Sequence, residues 1–180
     1  AHWIMTDLAI AMAGCISVPL YPNITADALR EIIIHSESKA IFIGKLDNAE
    51  ALRKGVPDEL TMISFPFYPN AGCLNWDELI AKHEGIKGKP VIDPQSLACI
   101  VYTSGTTGQP KGVMHTFHAV GFAVDSFIKS YPVISEEIFF SYLPLCHVAE
   151  RMLVECGAIF TGSTVYFVES MDTFAKNLQD

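Results

Sequence analysis

Basic residues are scarce in this sequence: twelve Lys and Arg stand against twenty Asp and Glu, a formal charge of -8, and no basic run exceeds a pair. That balance excludes a groove tracking a nucleic-acid backbone and a polybasic lipid patch, so any phosphate must be held locally. The five cysteines (Cys15, Cys73, Cys99, Cys146, Cys156) are odd in number, far apart and free of a C-x-x-C pair. Neither a disulfide framework nor a zinc knuckle fits that spacing, whereas reduced thiols in a cytosolic protein do. Long apolar runs are also missing. The best candidate, Leu8 to Leu20, is entered by Asp7, broken by Pro19 and preceded by no Lys or Arg, against both a membrane span and a secretion signal.

What is present is the material of a folded domain. Half of the 180 residues are hydrophobic and 18% are charged, enough for one sizeable core or two small lobes sharing one. The mean hydropathy of +0.30 is high for a free-standing domain. Ala1 rather than Met opens the chain, and Phe174 and Leu178, four apart, begin a helix near its end. The expectation is a piece of a longer polypeptide whose truncated apolar edges favour self-association.

Short apolar runs with few charges predict strands at Ile16–Leu20, Ala40–Gly44, Met62–Phe65, Ala98–Tyr102, Phe139–Leu143 and Thr164–Val168. Helical stripes lie between them. Leu29, Ile32 and Ile33 follow Thr25 as N-cap, Asn75 and Glu78 form a capping box, Val120, Val124, Phe127 and Ile128 share a face, and so do Met152, Cys156, Ile159 and Phe160. Alternation at this spacing predicts an α/β fold: a mainly parallel sheet built from βαβ units, with helices on both faces. Residues 84–96 (EGIKGKPVIDPQS), polar with two Gly and two Pro, mark either a seam between two lobes or one long surface loop.

After the predicted strand at Leu97 to Tyr102 comes Thr103-Ser104-Gly105-Thr106-Thr107-Gly108-Gln109-Pro110-Lys111-Gly112, with four hydroxyls, three glycines and one lysine in ten residues. Hydroxyls and exposed N–H groups donate to phosphate oxygens, glycines allow close backbone approach, and lysine adds a mobile charge. The composition is that of a phosphate cradle; the bland reading is a solvated surface loop. It is not a Walker A loop, because the position five after Gly105 is Pro110, and neither G-x-G-x-x-G nor G-x-S-x-G occurs.

YTSGTTGQPKGV, residues 102–113, resembles the phosphate-binding signature of the adenylate-forming superfamily, which includes acyl-CoA synthetases, luciferases and peptide-synthetase adenylation domains. The flanks SVPLYPNITADALREIIIHSESKAIFIGK (17–45) and SYLPLCHVAERMLVE (141–155) resemble its long-chain fatty acid CoA ligase branch, and the similarity runs through essentially all 180 residues. The resemblance implies a fragment, residues 1–180, of the N-terminal AMP-binding domain. Its implied parent is a ligase that uses ATP, Mg2+ and coenzyme A to convert a fatty acid to acyl-AMP and then to a thioester. It implies that Thr103, Ser104, Gly105, Thr106, Thr107, Gly108 and Lys111 line the β and γ phosphates, and that His147 stands at the acyl carboxylate, with catalytic roles for His147 and Lys111. It implies no metal ligand in this piece, a cytoplasmic location with peripheral membrane association of the parent, and no turnover by the piece alone. The adenine, ribose, magnesium and hinge residues and the C-terminal domain lie beyond Asp180. The alternatives are a fatty acyl-AMP ligase or other carboxylate-adenylating enzyme, and a non-catalytic nucleotide-binding module.

Without that resemblance, His147 reads as a histidine at a helix start with a structural hydrogen bond, and its neighbour Cys146 as no partner, because adjacent side chains rarely point at each other. Arg151 and Glu155, four apart, read as a pair on a helix surface. His115 and His118 lack a third ligand for a metal. The superfamily commonly has a Thr-His pair after the loop; here Thr116 precedes Phe117, so no role is carried over to His118.

Overall fold

Thr25 shows how local signals become structure. In the computed structural model, which describes residues 1–46, 48–68, 71–104, 110–131 and 137–179, its hydroxyl accepts the Ala28 N–H at 3.3 Å and opens helix α2, Ala26–His35. Leu29, Ile32 and Ile33, on one face by their spacing, are buried. Ser36 closes the helix through its hydroxyl on the Ile32 carbonyl at 2.7 Å. Before α2 lies helix α1, His2–Met12.

Strand β1 (Ala40–Ile43), helix α3 (Ala49–Arg53), strand β2 (Thr61–Ser64) and the short β3 (Leu74–Asn75) follow, and β1, β2 and β3 pair in that order, all parallel. Leu29 and Ile33 of α2 pack with Leu52, Val56 and Leu60 beneath this sheet, and burial of each such side chain contributes about 1.5 to 3 kcal/mol. Asn75 then caps helix α4, Trp76–Lys82, by accepting the Glu78 N–H at 3.1 Å.

Strand β4 (Leu97–Ser104) and strand β5 (Pro110–Thr116) form an antiparallel pair, a hairpin that the βαβ reading does not anticipate. Pro110 and Gly112, turn residues by type, disguise the second strand. Thr116 ends β5 and also caps helix α5, Phe117–Ser130, through its hydroxyl on the Ala119 N–H at 3.1 Å. Strand β6 (Ile138–Ser141) pairs in parallel with strand β7 (Thr164–Phe167). Between them run a π-helix, Glu150–Cys156, and helix α6, Gly157–Thr161, which Gly162 closes at φ +73°. A 3₁₀ turn, Met171–Thr173, leads into helix α7, Phe174–Asn177.

The α/β fold of parallel strands with connecting helices is therefore present, divided among three small sheets, and two further local departures join the hairpin. Ile16–Leu20 forms a single parallel bridge, Ser17 to Cys99, because only Ser17 exchanges backbone hydrogen bonds with β4 and Pro19 has no N–H to extend the ladder. The stripe predicted at Met152, Cys156, Ile159 and Phe160 is not the buried face: Glu150, Arg151, Val154, Glu155, Gly157 and Ala158 are buried, while Ile159 and Phe160 are exposed. Gly157 N–H reaches back five residues to the Met152 carbonyl, and that wider turn rotates the face away from a 3.6-residue period.

Candidate functional site

The β4–β5 hairpin presents the described part of the candidate phosphate loop. Register places Thr103 opposite Lys111 and Ser104 opposite Pro110. Gly105, Thr106, Thr107 and Gly108 lie outside the described residues. The Thr103 and Lys111 side chains are exposed, and Lys111 makes no ion pair among the described residues. Two neighbours fix the pair next to Thr103 and Lys111. The Tyr102 hydroxyl lies 2.6 Å from His35 Nδ1 at the end of α2, and the Tyr102 ring packs over Gly112. A Cβ at Gly112 would stand 2.7 Å from Ile100 Cγ2 and 3.1 Å from that ring, so the hairpin closes only around a residue without a side chain.

His147 stands in the segment that joins β6 to the π-helix. Its Nδ1 accepts the Ala149 N–H at 3.2 Å, its own N–H donates to the Pro144 carbonyl at 2.8 Å, and its carbonyl accepts the Arg151 N–H at 3.0 Å. An Nδ1 that accepts assigns the neutral ring's proton to Nε2, which makes no hydrogen bond to any described residue and is left as a donor. Cys146 beside it is buried, and burial pushes its thiol up to about 11, so it supplies no thiolate near neutral pH.

Arg151 and Glu155 correct the surface-pair expectation. The two residues are 6% and 2% exposed, and Arg151 pairs with Asp7 of α1, its Nη2 2.5 Å from Oδ2, rather than with Glu155. The π-helix turns both inward, where the Arg151 guanidinium also lies over the Trp3 ring, 5.9 Å from its centroid. The other Asp7 oxygen accepts from the Ser17 hydroxyl. Glu150, also buried, accepts from the Ser141 hydroxyl at 2.6 Å and from the Tyr142 N–H at 3.1 Å. Burial, then the charge of Asp7, pushes the Glu155 carboxyl up to about 8 against the opposing pull of Arg151, and burial pushes the neighbouring Cys156 thiol up to about 12.

The sequence reading missed Asp7, Ser17 and Glu150 because each gains its role from partners outside its own element: Glu150 from the end of β6, Ser17 from β4 and Asp7 from the π-helix. Arg151 and Asp7 are 144 residues apart. Thr103 and Lys111 are brought together by register, and this buried polar network ties the segment after His147 to their strand. His115 pairs with Cys99 across the hairpin, and His118 gives its backbone N–H to the Pro94 carbonyl. A separate cavity of about 400 Å³, lined by Arg53, Asp58, Thr61 and Leu74 among others, borders β2 and contains none of the candidate residues.

A family model described as AMP-binding enzyme matches residues 1–180. The chain is 31% identical over 175 residues to long chain acyl-CoA synthetase 4 of Arabidopsis thaliana, covering 86% of this chain and 26% of that protein. It is 30% identical to long-chain-fatty-acid–CoA ligase 1 of Cavia porcellus, covering 93% of this chain and 27% of that protein. The chain thus spans about a quarter of the length of these curated relatives. Among solved structures, ATP-bound MatB from Rhodopseudomonas palustris superposes with a TM-score of 0.74 at 20% identity over 98% of this chain and 34% of that one, a likeness of fold.

Proposed function

This chain belongs to the AMP-binding enzyme family, and from that premise we propose that it supplies the phosphate-binding and acyl-binding walls of the adenylation site in a long-chain fatty acid CoA ligase. The observation that carries the reading is the hairpin: Thr103 faces Lys111 at its tip, and the hydroxyl and glycine residues of the loop follow directly.

In the proposed reaction a fatty acid carboxylate oxygen attacks the α-phosphorus of ATP, and the bond from that phosphorus to the bridging oxygen of pyrophosphate breaks. The thiol of coenzyme A then attacks the acyl carbon and AMP departs. Activation is needed because a carboxylate lacks a good leaving group, which AMP provides. Negative charge accumulates on pyrophosphate as it leaves, so donors in the loop and the Lys111 ammonium lower the barrier as well as bind ATP. The His147 Nε2–H donates to the acyl carboxylate and orients its other oxygen for attack. Mg2+ would neutralise phosphate charge. Among the described residues no group of three or more His, Cys, Asp or Glu could hold a metal, so no step is assigned to a metal site in this chain. No described helix is long and apolar enough to cross a membrane, and the fatty acid is proposed to reach the site from a bilayer surface or from water.

One hydrogen bond to a charged group contributes about 1.5 to 3 kcal/mol, so Lys111→Ala in the intact enzyme should lower fatty-acid-dependent ATP–pyrophosphate exchange by about ten- to a hundred-fold. Exchange at the wild-type rate would remove Lys111 from the site and overturn the loop assignment.

A further inference from the structure

The two walls of the proposed site are joined by a buried polar chain that no catalytic step uses. At one end is the segment carrying His147. It is held on both sides by consecutive residues: Glu150 binds Ser141 and Tyr142 at its start, and the Arg151 N–H binds the His147 carbonyl near its end. The Arg151 side chain then leaves this segment for α1, where Asp7 takes its guanidinium with one carboxylate oxygen and the Ser17 hydroxyl with the other. Ser17 completes the path. Its N–H donates to the Ala98 carbonyl at 3.1 Å and its carbonyl accepts the Ile100 N–H at 2.9 Å, gripping β4 on either side of Cys99, which is wholly buried. A few residues on, β4 becomes the phosphate loop.

An ion pair this deep is costly to desolvate and adds little to stability compared with apolar side chains of the same volume, so stability alone does not account for it. Its geometry is directional. The guanidinium joins α1 to the π-helical turn that follows His147, and the carboxylate joins that guanidinium to Ser17, whose backbone is bonded to β4, the strand that carries Thr103. We infer that Asp7 and Arg151 are positioning residues whose ion pair, continued through Ser17, is a strut setting the separation between the His147 segment and the phosphate-loop hairpin. This rests on the adenylation reading above for its catalytic consequence, though not for its structural one.

The test uses the intact enzyme with Asp7→Leu and Arg151→Met together, which removes both charges and leaves neither unpaired. Misplacing a positioned group by about 1 Å costs on the order of a hundred-fold, so the double variant should lose about ten- to a hundred-fold in kcat for fatty-acid-dependent pyrophosphate exchange, with KM for ATP changed less than about three-fold. In a His147→Ala background the same pair should cost less than about three-fold more, because a strut acting through His147 has nothing left to position. Full multiplication of the two losses, or wild-type exchange in the double variant, would overturn the proposal. Where the double variant does not fold, Ser17→Ala removes one link only, and amide hydrogen exchange is the readout. Faster exchange in both 97–104 and 143–151, with 61–64 unchanged, supports the strut; faster exchange in one of the two segments alone overturns it. Should His147→Ala itself leave pyrophosphate exchange intact, the acyl-side reading fails, and the amide-exchange arm still decides the strut.

Discussion

Glu155 is the residue whose surroundings depart furthest from its chemistry. A carboxyl 2% exposed, beside Asp7 and Arg151, holds its proton to about pH 8 instead of its ordinary 4.5, burial being the main cause. The sign follows from proton counting. Between those two values the folded chain keeps a proton that the unfolded chain has lost, so this group's contribution is most favourable below the window and falls as pH rises through it. Glutamine has no proton to lose. Thermal unfolding of Glu155→Gln and wild type, compared at pH 5 and pH 8, should show a difference that shifts in favour of the variant as pH rises; a difference that stays constant, or shifts the other way, would contradict the buried neutral carboxyl. This residue also marks the limit of sequence reading. Arg151 and Glu155 at i and i+4 fit an exposed helical pair, and only the π-helix and an aspartate 144 residues away turn them inward.

At the scale of elements, the hairpin carries the candidate chemistry, and its two strands were unequally legible. β4 opens on an uninterrupted apolar run, Leu97 to Tyr102. β5 begins Pro-Lys-Gly, which reads as loop, yet Gly112 is required by the approach of Ile100 and Tyr102 on the opposite strand. Gly112→Ala should therefore destabilise by about 1 to 3 kcal/mol through overpacking and weaken ATP binding by shifting the loop, measurable by denaturant unfolding and by calorimetry with ATP. An alanine variant with unchanged stability and affinity would show that the strands separate freely there. The helix caps at Thr25, Asn75 and Thr116 depend on side chains that accept from backbone N–H donors three residues on, which is why α2 and α4 were readable from local pattern alone.

For the molecule as a whole, the family and the α/β architecture were legible because a twelve-residue signature and alternating apolar segments both survive in a chain about a quarter as long as its relatives. The spacing between the two proposed walls was not, since it is set by the Asp7, Ser17 and Arg151 contacts rather than by any local pattern. Several apolar side chains remain uncovered, among them Met114 of β5, Phe122 of α5, Ile138 of β6 and Tyr166 of β7. In the proposed enzyme these faces meet the remainder of the polypeptide. The most direct measurement mixes the intact enzyme with labelled ATP and a long-chain fatty acid, without coenzyme A, and quenches within one turnover. Acyl-adenylate and pyrophosphate released one to one is the predicted result; ADP and phosphate, or no acyl-adenylate at all, would contradict the account.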